Sequence, residues 1–275
     1  MSKFIRRWPI LAAVLFPLAV FFVIDEASLL ISSLTYGLFA EDVLHYFNDI
    51  LAYLPGIIVA LLLLRCCGLR NDLGLRRKGF WSGLLYGGLL MVTSVYDLVE
   101  YARYLDPGTF HTPTPLLFFM CLLDIFLIGF TEELIFRAGV LNILLARFGN
   151  TKKGLYGSVL FSSALFGAVH FTNYLYYPQM FWSTMSQMVY ATFFGVLIGA
   201  AYAKARNLWA SATLHTVFNL SLILSVFSQE AAALEMTDVS PLSAVYSVLT
   251  SIPFLVMGLI LLQTIALPPG QKNDS

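Results

Sequence analysis

The chain has 275 residues, of which 59% are hydrophobic and 12% are charged, and its mean hydropathy is +0.79. Soluble domains carry about 25% charged residues, so a composition with half that share argues against a soluble protein. The formal net charge is zero, which gives no electrostatic basis for binding nucleic acid or another polyanion. We therefore predict a protein that lies in the lipid bilayer and binds no nucleic acid.

Apolar segments long enough to cross a bilayer occur throughout the chain. A helix needs about 20 apolar residues to span about 30 Å of hydrocarbon. The segments that we predict to be spans are residues 8–24, 46–64, 80–100, 115–146, 155–172, 181–203, 208–228 and 242–266. Residues 27–40 are apolar but short and rich in hydroxyl groups, so we predict an interfacial segment there. The sequence thus predicts an all-α polytopic transmembrane helical bundle of about eight spans, in a single integral membrane domain (residues 1–275).

The basic residues outside the spans indicate the orientation of the chain. If the N-terminus is cytoplasmic, all of them except Arg103 fall on the cytoplasmic side, where positive residues are favoured. These residues are Lys3, Arg6, Arg7, Arg65, Arg70, Arg76, Arg77, Lys78, Arg147, Lys152, Lys153, Lys204, Arg206 and Lys272. We therefore expect both termini in the cytoplasm. The chain shows no organelle-retention signal, which favours a bacterial or archaeal cytoplasmic membrane.

The fourth span contains charged side chains near its middle. Glu132 and Glu133 are adjacent, and Arg137 follows one helical turn later, with apolar residues on both sides. A charge at the bilayer centre costs about 2.5–3.5 kcal/mol, so three unpaired charges would oppose insertion by about 8–10 kcal/mol. Glu133 and Arg137 are four residues apart, so they lie on one helix face and can form an ion pair. That ion pair would leave Glu132 free to act as a base.

Two later spans contain the other polar groups of interest. Phe166 and His170 are four residues apart in the fifth span, and His215 and Asn219 have the same spacing in the seventh span. The remaining histidines fall in predicted outside loops; they are His45 and His111. The polar positions should therefore face one another if the three helices pack closely.

Small residues beside these positions favour close packing. Gly195 and Gly199 form a small-xxx-small surface in the sixth span, and such surfaces let helices approach one another in lipid. We therefore expect the polar stripes to surround one water-accessible cavity. By residue count His170 lies deeper than His215, and we expect a late start of the fifth span, with residues 152–158 in a turn, to reduce that difference.

A carboxylate, two imidazoles and a carboxamide in a hydrated cavity suit the hydrolysis of an amide bond. Glu132 can take a proton from water with the help of His170, while His215 and Asn219 can donate hydrogen bonds to the oxyanion. Metal-assisted hydrolysis is the alternative, with zinc bound by Glu132, His170 and His215 and supplying the attacking water. The preferred mechanism requires no cofactor, and the residues leave the zinc alternative open.

Three short motifs in this order resemble the CPBP family. They are Glu132-Glu133-x-x-x-Arg137, Phe166-x-x-x-His170 and His215-x-x-x-Asn219, within a motif-bearing core of residues 115–228. The family includes CAAX prenyl proteases of the Rce1 type and bacterial Abi or bacteriocin-processing membrane proteins. The resemblance implies that Glu132 and His170 activate water and that His215 and Asn219 form the oxyanion hole. It leaves metal dependence open, because both mechanisms have been described for the family.

We therefore predict an intramembrane endopeptidase whose substrate is a membrane-embedded or membrane-associated peptide. Two other functions are compatible with the same residues. A proton-coupled transporter also places carboxylates and histidines in the membrane, although the chain lacks the internal repeat that many transporters show. A non-catalytic immunity or binding scaffold could share the same fold.

Overall fold

The computed structural model describes residues 3–38, 41–69 and 73–267. Arg70 and Lys272, which are part of the predicted charge distribution, lie outside the described residues. Every regular element in the described ranges is a helix, which confirms the predicted all-α bundle. Seven helical stretches there are long and apolar enough to cross a membrane, or up to eight if a bent pair of helices is one span.

Six described helices form the first part of the bundle. They are α1 (Lys3–Arg7), α2 (Pro9–Thr35), α3 (Glu41–Cys66), α4 (Phe80–Tyr86), α5 (Gly88–Tyr104) and α6 (Pro115–Glu133). Pro9 and Pro115 each stand at the start of their helix, where the missing N–H of proline costs nothing and its φ angle already suits a helix.

The first span is longer than the sequence analysis predicts. Helix α2 continues to Thr35, so the prediction of a separate interfacial segment at residues 27–40 is wrong for residues 27–35. No glycine or proline interrupts this stretch before Gly37, which has a φ of 75°. The Thr35 hydroxyl donates to the Ile31 carbonyl at 2.8 Å and is 2.8 Å from Asn48 Oδ1 of α3. The hydroxyl-rich end of α2 is therefore held by side-chain hydrogen bonds. Residues 39–40 of the predicted segment lie outside the described residues.

The second span begins before the predicted boundary at residue 46. Helix α3 starts at Glu41, so His45 is a helical residue, and its assignment to a loop is wrong. His45 Nδ1 lies 3.5 Å from Asp49 Oδ2, one turn further along the same helix.

The predicted third span is broken. Helices α4 and α5 meet at Gly87 with a bend of 66°. A Cβ at Gly87 would overlap the Leu214 side chain of the seventh span. The absence of a side chain at Gly87 therefore lets the bent helix pair approach the segment that carries His215.

The remaining helices complete the bundle. They are α7 (Asn142–Phe148), α8 (Lys152–Val169), α9 (Phe171–Tyr176), α10 (Phe181–Ala205), α11 (Leu208–Phe218), α12 (Gln229–Glu235) and α13 (Pro241–Gln263). Helix α10 lies in the middle of this half, where it packs against α8 and α13. It contributes Phe194, Val196 and Tyr202 to the main hydrophobic core.

Two spans depart from regular α-helix beside the charged residues. The segment Leu134–Leu141 is a π-helix between α6 and α7, and the segment Asn219–Val226 is a 3₁₀-helix after α11. A Cβ at Gly139 would overlap the Phe16 ring of α2, so α2 packs directly on the π-helix. The pattern of hydrophobic residues predicts neither departure. Turns of π-helix are frequent at functional sites.

Small residues bring the central helices together as expected. A Cβ at Gly195 of α10 would lie 3.1 Å from the Ser163 Cβ of α8, and one at Gly199 would lie 3.2 Å from Val159. The small-xxx-small surface of the sixth span therefore faces α8, the helix that ends next to His170.

The contact between α10 and α13 is closer still and gives a first prediction. A Cβ at Gly258 would lie 2.9 Å from the Leu197 backbone nitrogen. We expect Gly258→Ala to lower the free energy of unfolding by about 1–3 kcal/mol, as overpacking does. Gly157→Ala is the control, because a Cβ there meets nothing within 4 Å, and alanine should stabilise that helix by about 1 kcal/mol. Unfolding in detergent micelles measures both, and equal effects would contradict the close contact.

Candidate active site

Glu133 and Arg137 form a buried ion pair behind the site. Arg137 Nε donates to Glu133 Oε2 at 2.9 Å, and Arg137 Nη2 donates to Glu133 Oε1 at 3.2 Å. Both side chains are fully buried, with 0% exposure. The two-pronged contact uses the planar fork of arginine, which matches a carboxylate. The ion pair expected from the spacing is thus present across the start of the π-helix.

His215 lies between the two glutamates. Its Nδ1 is 3.1 Å from Glu133 Oε1, and its Nε2 is 3.3 Å from Glu132 Oε2. The Glu132 side chain keeps 19% of its surface exposed, whereas His215 keeps 4%. Glu132 therefore stays outside the Glu133–Arg137 ion pair, but a histidine from α11 contacts it.

These contacts restrict where the protons lie. A neutral imidazole has one N–H and one lone pair, while an imidazolium donates from both nitrogens. Glu133 is paired with Arg137 and accepts hydrogen bonds, so the proton on Nδ1 of His215 faces Glu133. The second contact is favourable only if one further proton lies between His215 Nε2 and Glu132 Oε2. An imidazolium at position 215 would donate to both glutamates, one from each ring nitrogen.

Phe166 connects the two histidines. Its ring centroid is 5.0 Å from that of His170 and 5.7 Å from that of His215, both edge to face. The Arg137 guanidinium lies 5.3 Å from the same ring, at a distance where a cation is attracted to an aromatic face. His170 Nδ1 is 2.9 Å from the Phe166 carbonyl oxygen. The i, i+4 spacing of Phe166 and His170 therefore does place a ring beside an imidazole.

The predicted late start of the fifth span is wrong. Helix α8 begins at Lys152, where Thr151 caps it by accepting a hydrogen bond from the Gly154 N–H. Residues 152–158 are helical, and His170 follows the last residue of α8. The Phe166 ring contacts the imidazoles of both His170 and His215, so the two histidines are close to one another although they differ in depth by residue count.

Four of the six predicted site residues line one cavity of about 500 Å³: Glu132, His170, His215 and Asn219. They come from α6, the end of α8, α11 and the start of the 3₁₀-helix. Glu133 and Arg137 do not line this cavity and lie buried behind it. The structure thus brings the polar groups of three separate spans together.

A second cavity, of about 380 Å³, reaches the same position from the other side. It shares Glu132, His170 and Asn173 with the first cavity. Its remaining wall is largely apolar and includes Leu18, Phe21 and Phe22 of α2 together with Val169, Thr172, Tyr176 and Asp25. Glu132 and His170 therefore stand where a polar cavity and a mainly apolar cavity meet.

Several polar residues of the larger cavity are not predicted by the motifs. Tyr53 of α3 and Ser94 and Asp97 of α5 lie on its wall. Asn173 and Gln187 also line it, and Asn173 Nδ2 donates to Gln187 Oε1 at 2.9 Å. Each is a single polar residue without a motif, so only the packing of α3 and α5 against the later helices reveals its position.

The proposed zinc ligands do not form a compact set. Among the described residues, no three His, Cys, Asp or Glu side chains are arranged so that they could hold a metal ion. Both nitrogens of His215 already face glutamate oxygens. The geometry thus does not fit a zinc ion bound by Glu132, His170 and His215.

One comparison with known proteins bears on this site. Residues 114–221 match the family model described as Type II CAAX prenyl endopeptidase Rce1-like. No curated protein and no solved structure matches the chain. The matched residues include all six predicted site positions and nearly coincide with the predicted core at residues 115–228. The match confirms the family resemblance of the motifs: residues 114–221 of this integral membrane protein are similar to the Rce1-like family, which is a protease family.

Proposed function

We propose that this protein is an intramembrane endopeptidase that hydrolyses a peptide bond of a membrane-associated peptide or protein without a metal ion. One observation supports the proposal above the others: Glu132 is the partly exposed carboxylate of a buried charged network and stands, like His170, at the junction of two cavities. A buried carboxylate with access to water can act as a general base.

Glu132 takes the central role in the proposed reaction. Water beside Glu132 and His170 attacks the carbonyl carbon of the substrate, and Glu132 accepts the proton that water loses. When the tetrahedral intermediate collapses, the C–N bond breaks and Glu132 returns the proton to the leaving amine. One amide and one water thus give a carboxylic acid and an amine. The acid then passes its proton to the amine, so the products are a carboxylate and an ammonium group, and atoms and charges balance.

His215 and Asn219 stabilise the oxyanion in this mechanism. In the resting site Nε2 of His215 faces Glu132 at 3.3 Å. Once Glu132 has accepted a proton it no longer attracts the Nε2 proton as strongly, and that N–H can donate to the oxyanion instead. The Asn219 amide, on the same cavity wall, supplies the second donor. Such donors act most strongly where charge develops in the transition state.

Glu133 and Arg137 are positioning residues. They do not line either cavity. Glu133 accepts a hydrogen bond on the side of His215 that faces away from Glu132, and this contact fixes the orientation of the ring. Arg137 keeps Glu133 charged and in place.

The two cavities indicate the substrate class. A peptide segment with polar backbone groups suits the cavity lined by Asn173, Gln187 and Asn219. An apolar segment or chain next to the cleaved bond suits the cavity lined by Leu18, Phe21 and Phe22. The proposed substrate is therefore a peptide that is itself held in the membrane, cleaved where its backbone reaches Glu132.

The experiment that tests this function compares membrane peptides in two cell populations. One population produces the wild-type protein and the other Glu132→Gln at the same level. A substrate should accumulate uncleaved with Glu132→Gln, and its products should be found only with the wild type. Identical peptide profiles would refute the proposal and favour a non-catalytic scaffold. A chelator should leave cleavage by the purified protein unchanged.

Asn219 gives a prediction that separates oxyanion stabilisation from substrate binding. We expect Asn219→Ala to lower kcat by about 10²–10³-fold, as the loss of one oxyanion donor does, with little change in KM. Cleavage of the identified peptide by purified protein in vesicles measures both constants. A raised KM with an unchanged kcat would instead show that Asn219 holds the substrate equally in the ground state.

A further inference from the structure

An open cavity lies at the end of the bundle where basic side chains cluster. It has a volume of about 530 Å³ and is lined by Arg76, Arg77, Phe80, Trp81, Trp209 and Thr213. None of these residues lines the cavities that contain Glu132. We call this cavity the arginine–tryptophan pocket.

The pocket lies at an end of the bundle where several helices start or end. Lys204 of α10 is 2.6 Å from the Thr264 hydroxyl and lies 4.5 Å from the centroid of the Tyr86 ring. Lys152 of α8 donates to the Gln263 carbonyl at 2.9 Å. Phe80 begins α4, and Trp209 is the second residue of α11, shortly after α10 ends at Ala205. The pocket therefore lies at this end of the bundle and not within its apolar part.

The backbone that carries the arginines is held against the start of α11. Asn207 donates from Nδ2 to the Lys78 carbonyl at 3.0 Å and also to the Arg76 carbonyl. The Leu208 N–H donates to the Gly74 carbonyl at 3.0 Å. Gly74 has a φ of 76°, a conformation that glycine adopts without strain. The pocket is therefore built on a fixed loop.

Among the described residues that line the pocket, the charged ones are both positive. Arg76 and Arg77 are exposed, and within the described ranges neither guanidinium has an ion-pair or hydrogen-bond partner. No carboxylate is among the residues that line the pocket. A guanidinium presents several N–H donors in a fork that matches the oxygens of a phosphate. Two of them side by side thus favour an anionic group.

Two tryptophans in the pocket favour a lipid over a soluble anion as its ligand. Trp81 is 79% exposed and Trp209 is 39% exposed, and tryptophan is enriched at the level of lipid headgroups. Trp209 is also fixed in place, because its ring stacks on Phe130 of α6 with the centroids 5.3 Å apart. A free phosphate would leave the Trp81 ring uncovered, whereas the glycerol and upper acyl chains of a phospholipid would cover it.

We propose that the arginine–tryptophan pocket binds the headgroup of an anionic phospholipid. Its phosphate contacts the guanidiniums of Arg76 and Arg77, and its glycerol backbone lies against Trp81 and Trp209. This proposal does not depend on peptidase activity, because it concerns a separate pocket. Its test measures lipid binding alone.

The experiment measures lipid retained by the full-length protein. Native mass spectrometry of protein released from nanodiscs of phosphatidylglycerol and phosphatidylcholine should show bound phosphatidylglycerol on the wild type. The double variant Arg76→Gln/Arg77→Gln should bind it about 30-fold more weakly, since each arginine near an anionic surface contributes about 1 kcal/mol. Trp81→Ala, at a position that is 79% exposed, should also reduce retention.

The matched control removes the same charge elsewhere. Arg6 and Arg7 are likewise adjacent and exposed, and Arg7 lies 5.6 Å from the Trp8 ring, yet they line no cavity described above. Arg6→Gln/Arg7→Gln should retain phosphatidylglycerol like the wild type. Equal loss in both double variants would overturn the proposal in favour of general surface charge. Displacement by soluble glycerol phosphate at similar concentrations, or no retention by the wild type, would also overturn it.

Discussion

Glu132→Gln should abolish peptide cleavage while the protein stays folded. The carboxamide has the shape of the carboxylate but cannot accept a proton from water. General acid–base catalysis contributes about 10²–10⁴-fold to rate, and Glu132 acts in both proton transfers, so we expect kcat to fall by at least about 10³-fold. Single-turnover cleavage of the identified peptide in vesicles measures the chemical step apart from substrate binding.

The control for this variant is a partly exposed carboxylate outside both cavities. Glu100 of α5 accepts a hydrogen bond from Arg103 at 2.7 Å in an exposed pair, and Glu100→Gln should change kcat less than about twofold, because exposed pairs contribute little. If Glu132→Gln kept at least a tenth of the wild-type kcat, Glu132 would not be the base. His170 would then be the residue to test as the proton acceptor.

The sequence predicts the number of spans and the convergence of the site because both follow from simple physical costs. The length of an apolar segment shows whether it can cross the bilayer. Charged residues in the middle of a span must face an ion-pair partner or water inside the bundle. Those arguments lead to Glu132, His215 and Asn219 without a structure. They also identify the Glu133–Arg137 pair, because i, i+4 neighbours share a helix face.

The sequence does not predict the local backbone around the site. The π-helix at Leu134–Leu141 and the 66° bend at Gly87 depend on how α2 and α11 pack on these segments. The contact between His215 and Glu132 is equally hidden, since it joins residues 83 positions apart. Spacing rules describe one helix at a time, whereas these features result from contacts between helices.

The contacts of His215 couple the roles of Glu132 and Glu133. Spacing alone suggests one structural and one catalytic glutamate that act separately. In the structure a single imidazole contacts both, with Nδ1 on Glu133 and Nε2 near Glu132. The charge of the buried Arg137 is therefore linked to the partly exposed base through Glu133 and His215, and the stability and catalytic roles of these residues cannot be independent.

Arg137→Met should destabilise the protein strongly. It would leave Glu133 fully buried, with only His215 as a partner, and removing one member of a buried pair costs about 3–5 kcal/mol. The double variant Glu133→Gln/Arg137→Met should regain more than half of that loss, because it buries no uncompensated charge. Equilibrium unfolding in mixed micelles is measured for the wild type, Arg137→Met, Glu133→Gln and the double variant. Simple additivity of the two single effects would contradict a coupled pair.

Arg103→Met is the matched control for this prediction. Arg103 is also paired with a glutamate on its own helix, but its side chain is 71% exposed, so its loss should change stability by less than about 1 kcal/mol. Cleavage by the stable double variant then separates the two roles of the buried pair. A neutral amide at position 133 holds the charged form of His215 less strongly than a carboxylate does, so kcat should stay below the wild-type value even where stability is regained. Full recovery of cleavage would show that Glu133 and Arg137 serve the fold alone.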